Sequence, residues 1–131
     1  MTVRAVMFDL DGTLLDTLDD ICVAGNHALE TCGSPGLARE EYRRLVGMGA
    51  RRCMERALGE GAEHRVDEAL GLYQSYYAEH PVVHTRPYEG VAELITELAE
   101  RRVPMAVVTN KTHAVAVEVI RYFFAVMNHQ R

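Results

Sequence analysis

A doubly wound α/β core carrying an all-helical insertion is the fold class that three features of the sequence predict. Two short, nearly continuous apolar runs, Val3 to Phe8 and Val103 to Val108, each stop at a polar loop: Asp9-Leu10-Asp11-Gly12-Thr13 and Thr109-Asn110-Lys111. Runs of that kind, with β-branched content, suit strands buried in a parallel sheet. Between them, from Thr17 to about His80, apolar residues repeat at helical spacing.

Taken in order, Val3 to Phe8 is the first core strand. Thr17-Leu18-Asp19-Asp20 has the S/T-x-x-D/E form of a capping box, followed at helical spacing by Leu18, Ile21, Cys22, Ala28, Leu29 and Cys32 up to Gly33 and Pro35. Glu40 to Val46 and a piece through Cys53, Met54, Ala57 and Leu58 read as two short helices around the Gly47-Met48-Gly49 turn. Val66, Ala69, Leu70, Tyr73 and Tyr77 mark a further amphipathic helix, closed by Pro81.

From Tyr88 the pattern changes. Val91, Leu94, Ile95 and Leu98 form a helical stripe, Arg101-Arg102 close it, and Val103 to Val108 is the second strand. A helix from Thr112 to about Tyr122 leads to Phe124-Ala125-Val126-Met127, which reads as the start of a third strand. The expected domains are a core of residues 1–16 and 81–131 and a helical cap of residues 17–80.

The bulk properties exclude several classes. At 131 residues, 48% hydrophobic and 25% charged, the chain is neither disordered nor a coiled coil. A net charge of −5 and the lack of any Lys/Arg run argue against a nucleic-acid or anionic-membrane surface. No apolar stretch is long enough to span a bilayer, and the first residues do not resemble a signal peptide, so the cytoplasm is the expected location. Cys22, Cys32 and Cys53 form no C-x-x-C pair and fall on apolar helix faces, as buried thiols do. The histidines show no zinc spacing.

Asp9 and Asp11 stand two positions apart at the C-terminal end of a buried strand, where open α/β sheets bind ligands. Taken alone, D-x-D reads equally well as a turn. The stretch Phe8-Asp9-Leu10-Asp11-Gly12-Thr13-Leu14-Leu15-Asp16, however, resembles motif I, D-x-D-G-T-L-x-D, of the haloacid dehalogenase superfamily. Thr109-Asn110-Lys111 resembles its motif II. Leu45 to Ala50, Met54 to Leu58 and Arg86 to Val91 are similar to the branch that hydrolyses small phosphomonoesters such as 2-phosphoglycolate.

The resemblance implies a Rossmann-like core with a helical cap and a Mg²⁺-dependent phosphatase. Asp9 would be the nucleophile, forming an aspartyl-phosphate, and a metal ligand. Asp11 would be the general acid/base and offer its carbonyl to the metal. Thr109 and Asn110 would hold the phosphoryl group, Gly47 and Gly49 would face the substrate from the cap, and Arg51 would meet a substrate carboxylate, in competition with Arg52 and Arg56. The chemistry suits these residue types: a carboxylate held in line with a charge-neutralised phosphoryl group can form an acyl phosphate, and a second carboxyl protonates the leaving oxygen.

Motif III, a cation, and motif IV, an acidic pair, have no counterpart in the sequence, and motif III is not assigned to Lys111. Weak Mg²⁺ affinity and slow or absent turnover are therefore expected, with the core short of its C-terminal strands. An open sheet edge would favour self-association. The rival readings are a sugar-phosphate mutase resembling β-phosphoglucomutase and a non-catalytic fragment acting by binding.

Overall fold

The computed structural model describes residues 2–129. In chain order the elements are β1 (Val6–Phe8), β2 (Leu15–Asp16), α1 (Leu18–Thr31), α2 (Arg39–Arg43), α3 (Ala50–Leu58), α4 (Val66–Glu79), β3 (Arg86–Pro87), α5 (Val91–Glu100), β4 (Met105–Val107) and α6 (His113–Phe123). Single 3₁₀ turns precede α4 and follow α6.

Strands β1 and β4 pair in parallel with Val6 opposite Met105 and Phe8 opposite Val107, so their C-terminal ends lie side by side. Both are shorter than their apolar runs. At the start of β4 the reason is local: α5 ends in a Schellman turn with Arg102 in the left-handed region (φ 56°), and the N–H of Val103 is spent on Leu98 O at 2.9 Å. Pro104 then has no N–H to donate, although its carbonyl accepts from Val6. The ladder therefore starts at Met105.

The insertion leaves and returns through an antiparallel two-residue ribbon, Leu15 opposite Pro87 and Asp16 opposite Arg86. This ribbon carried no sequence signal. One apolar cluster gathers Leu18, Ile21, Ala28, Leu29, Tyr42, Met54, Tyr73 and Tyr77 from α1 to α4, and takes in Val115 from α6. A second joins Leu10, Leu14 and Leu15 to Ile95, Ala116, Val119 and Phe124.

Two expectations are corrected. Residues 125–129 form a 3₁₀ turn instead of a third strand, with Phe124 buried in the second cluster and the N–H of Met127 bonded locally to Phe124 O at 2.9 Å. Thr17 and Asp20 form no capping box: Thr17 makes no side-chain cap bond to α1, because its hydroxyl is committed to Asp11 and the Asp20 carboxylate to Thr85 and its neighbours.

Within the helical cluster, Asn26 clamps the loop after α1 by accepting from Leu37 N (2.8 Å), donating to Leu37 O (3.0 Å) and accepting from Tyr42 Oη (2.8 Å). Tyr42 is fully buried and lies so close to Gly25 that a Cβ there would overlap the ring. Gly25→Ala would gain about 1 kcal/mol of helix propensity, but overpacking against a pinned side chain costs about 1–3 kcal/mol. The expected result is a lower melting temperature by circular dichroism. A rise would mean that Tyr42 can yield.

Candidate active site

Because β1 and β4 are parallel and in register, the loops after them open at the same edge of the sheet. Asp9 and Asp11 follow β1, and Thr109, Asn110 and Lys111 follow β4; all five line one pocket. Leu10, between the two aspartates, is fully buried, and its carbonyl accepts the N–H groups of Thr13, Leu14 and Leu15 at 3.0–3.2 Å. This folds the chain into a tight turn under the carboxylates. Gly12 takes a positive φ of 79° there, which a side chain would strain.

Asp9 is exposed to the pocket, and its Oδ1 accepts the N–H of Leu10 at 2.8 Å. Asp11 is nearly buried and held as an acceptor: Thr17 Oγ1 donates to its Oδ1 at 2.7 Å and Lys111 Nζ at 3.0 Å. Thr109 Oγ1 accepts the N–H of Lys111 at 3.1 Å.

The insertion closes the pocket from above. Gly47 and Gly49 line it, both at positive φ (101° and 89°), and Asn110 Nδ2 donates to Gly47 O at 2.8 Å. A Cβ at Gly49 would meet Asn110 O only at an ordinary contact distance of 3.4 Å, so it is the positive φ, not lack of space, that calls for glycine there. Arg51 departs from the expectation. It does not line the pocket, and its guanidinium pairs at 2.9 Å with Asp67 on the exposed side of the insertion. On α3 it lies on the outer face, while Cys53 turns inward.

Sequence reasoning missed Lys111 and Tyr77. The Lys111 ammonium is 6% exposed; it donates to Tyr77 Oη at 2.7 Å and sits 4.2 Å from the Tyr77 ring centroid. Burial pushes the ammonium below its ordinary pKa, against the pull of Asp11. Tyr77 repeats four residues after Tyr73 and so reads as one more core position of an amphipathic helix.

Asp20 was missed as well. It lies near the base of α1, 5% exposed, and accepts the N–H groups of Val83 (3.1 Å), His84 (2.9 Å) and Thr85 (2.9 Å) and the Thr85 hydroxyl (2.6 Å). It therefore ties the outgoing chain to the returning one. Burial raises its pKa, but the Thr85 hydroxyl and the three N–H groups outweigh that and hold the carboxyl below its ordinary range.

For a metal, the donor set is sparse: among the described residues no cluster of three or more His, Cys, Asp or Glu exists. Two carboxylates at one pocket do suit a hard cation such as Mg²⁺, which is commonly held by one or two carboxylates and water.

Comparison with known proteins gives the family. Residues 6–126 match the haloacid dehalogenase-like hydrolase family. The chain is 35% identical over 126 residues to phosphoglycolate phosphatase of Nitrosospira multiformis, covering 92% of this chain and 56% of that protein. It is 38% identical over 114 residues to phosphoglycolate phosphatase 1 of Pseudomonas aeruginosa, covering 82% of this chain and 42% of that one. The crystal structure of a predicted phosphoglycolate phosphatase from Haemophilus somnus superposes with a TM-score of 0.84 at 26% identity, covering 97% of this chain and 59% of that one. The chain thus spans about half the length of the curated relatives it matches. With the parallel strand ends, the paired aspartates and the helical insertion in place, it belongs to the haloacid dehalogenase-like hydrolases.

Proposed function

We propose that this chain carries the phosphoryl-transfer half of a Mg²⁺-dependent phosphomonoesterase acting on a small phosphorylated metabolite such as 2-phosphoglycolate. The observation that supports it is the convergence of Asp9, Asp11, Thr109 and Asn110 in one pocket beneath the Gly47–Gly49 loop. An Asp9 oxygen attacks phosphorus, the bond to the ester oxygen breaks, and Asp11 passes a proton to the departing alkoxide. Water, losing its proton to Asp11, then attacks the aspartyl-phosphate, releasing phosphate and restoring Asp9. The Thr109 hydroxyl and the N–H of Asn110 orient the phosphoryl group. Mg²⁺, held by Asp9 and Asp11, would supply charge neutralisation.

The domain division that we adopt is a core of 1–16 and 81–131 and a cap of 17–80; the two apolar clusters support it. The cytoplasm is the compartment that we assign, in keeping with three free thiols. Self-association is part of the reading: among the described residues β1 pairs only with β4, and Met7 on β1 is 76% exposed. Size-exclusion chromatography of the chain should show a species larger than a monomer, and a clean monomer sinks that part.

The direct test is phosphate release from 2-phosphoglycolate and from ethyl phosphate, in Mg²⁺ and in EDTA. Slow release that requires Mg²⁺ is expected. Equal release in EDTA, or failure to bind either ester, would overturn the proposal.

A further inference from the structure

We infer that Lys111 and Tyr77 form a second anion subsite, which reads a carboxylate on the leaving group of the substrate. The inference rests on the phosphatase reading above and assigns the residue that sets its specificity.

Among the described residues that line the pocket, Lys111 is the only Lys, Arg or His. Its side chain is 6% exposed, and an ammonium is buried at that depth only where an anion or hydrogen bonds compensate it. Of its three N–H donors, one goes to Asp11 and one to Tyr77 Oη, and among the described residues no acceptor takes the third. Tyr77 fixes the ammonium twice, through its hydroxyl and through its ring face.

Position decides which end of the substrate this cation addresses. The backbone of Lys111 turns toward the phosphoryl side, where its N–H meets Thr109 Oγ1, whereas its side chain runs to α4 and to Asp11. Asp11 delivers a proton to the ester oxygen, so a group 3.0 Å from its carboxylate lies on the leaving-group side. In a glycolate leaving group the carboxylate is one methylene beyond that oxygen. It would meet Lys111 without displacing the phosphoryl group from Thr109 and Asn110. Arg51, the sequence candidate for this role, is turned away and paired with Asp67.

The test is an equilibrium titration of the full chain carrying Asp9→Asn, in Mg²⁺, followed by amide NMR shifts. The probes are 2-phosphoglycolate and ethyl phosphate, which differ by the carboxylate. One charge-assisted contact predicts that 2-phosphoglycolate binds about tenfold tighter. Adding Lys111→Met should bring the two ligands within about twofold while ethyl phosphate shifts less than about threefold. Adding Tyr77→Phe, which keeps the ring, should reduce the preference about threefold and gives a second readout if Lys111→Met does not fold. A preference that survives both substitutions overturns the inference, as does an equal loss for both ligands, which would make Lys111 a phosphoryl cation. If ethyl phosphate binds and 2-phosphoglycolate binds no tighter, the inference fails alone. If neither binds, the phosphatase reading fails and takes the inference with it.

Discussion

Asp9→Asn is expected to lower Mg²⁺-dependent phosphate release by at least about a thousandfold, because an amide oxygen cannot take the phosphoryl group as a carboxylate does. Asp9 is the exposed carboxylate at the strand end, and its Oδ1 is oriented by the N–H of Leu10. The substitution keeps the size of the side chain and an amide oxygen that can still face Mg²⁺, and it leaves Asp11, Thr109 and Asn110 untouched, so substrate binding should survive. Hydroxylamine, which cleaves acyl phosphates, should release phosphate from the wild-type chain quenched in turnover and none from the variant. Retention of more than about a tenth of the release would remove Asp9 from the chemistry.

The largest effect on stability should come from Asp20→Ala. Four donors converge on this buried carboxylate from Val83, His84 and Thr85, and truncation would leave all of them without their acceptor. Losing the charged member of a buried network costs about 3–5 kcal/mol, a large share of the 5–15 kcal/mol that a domain has in total. The chain should melt about 10–20 °C lower by circular dichroism. The effect has a pH signature whose sign is fixed. The folded-state pKa of Asp20 is depressed, so its contribution is complete above the unfolded value of about 4 and disappears as pH falls through the folded value. Wild type and Asp20→Asn should therefore converge in stability on acidification below about pH 4, and a gap that stays constant down to the acid limit would show that the carboxylate charge is not what holds the return segment.

The elements were legible because burial leaves a periodic trace along the chain. Leu18, Ile21, Ala28 and Leu29 on α1, and Ile95 on α5, are buried at the spacing their sequence shows. The motif residues were legible because the loops at the ends of β1 and β4 carry short, specific strings. What stayed hidden depends on partners remote in sequence. Thr17-x-x-Asp20 has the letters of a cap, but Asp20 bonds residues 63 to 65 positions away, and no local pattern distinguishes the two uses. Lys111 reaches Asp11 across 100 positions, and Arg51 finds Asp67 across 16. The apolar run at 124–127 has strand composition, yet the N–H of Phe124 bonds back to Ile120 O and that of Met127 to Phe124 O, which holds the segment in a local turn.

The two-residue ribbon that joins the halves has a consequence for how such molecules can diversify. Leu15 faces Pro87 and Asp16 faces Arg86, so the insertion begins and ends at adjacent points whatever lies between. Closing a loop at that junction grows only logarithmically more costly with its length. Lengthening, shortening or exchanging the inserted helices therefore asks little of the strands beneath. What such a change must preserve is the set of contacts that the floor makes with the insertion through Asn110, Lys111 and Val115.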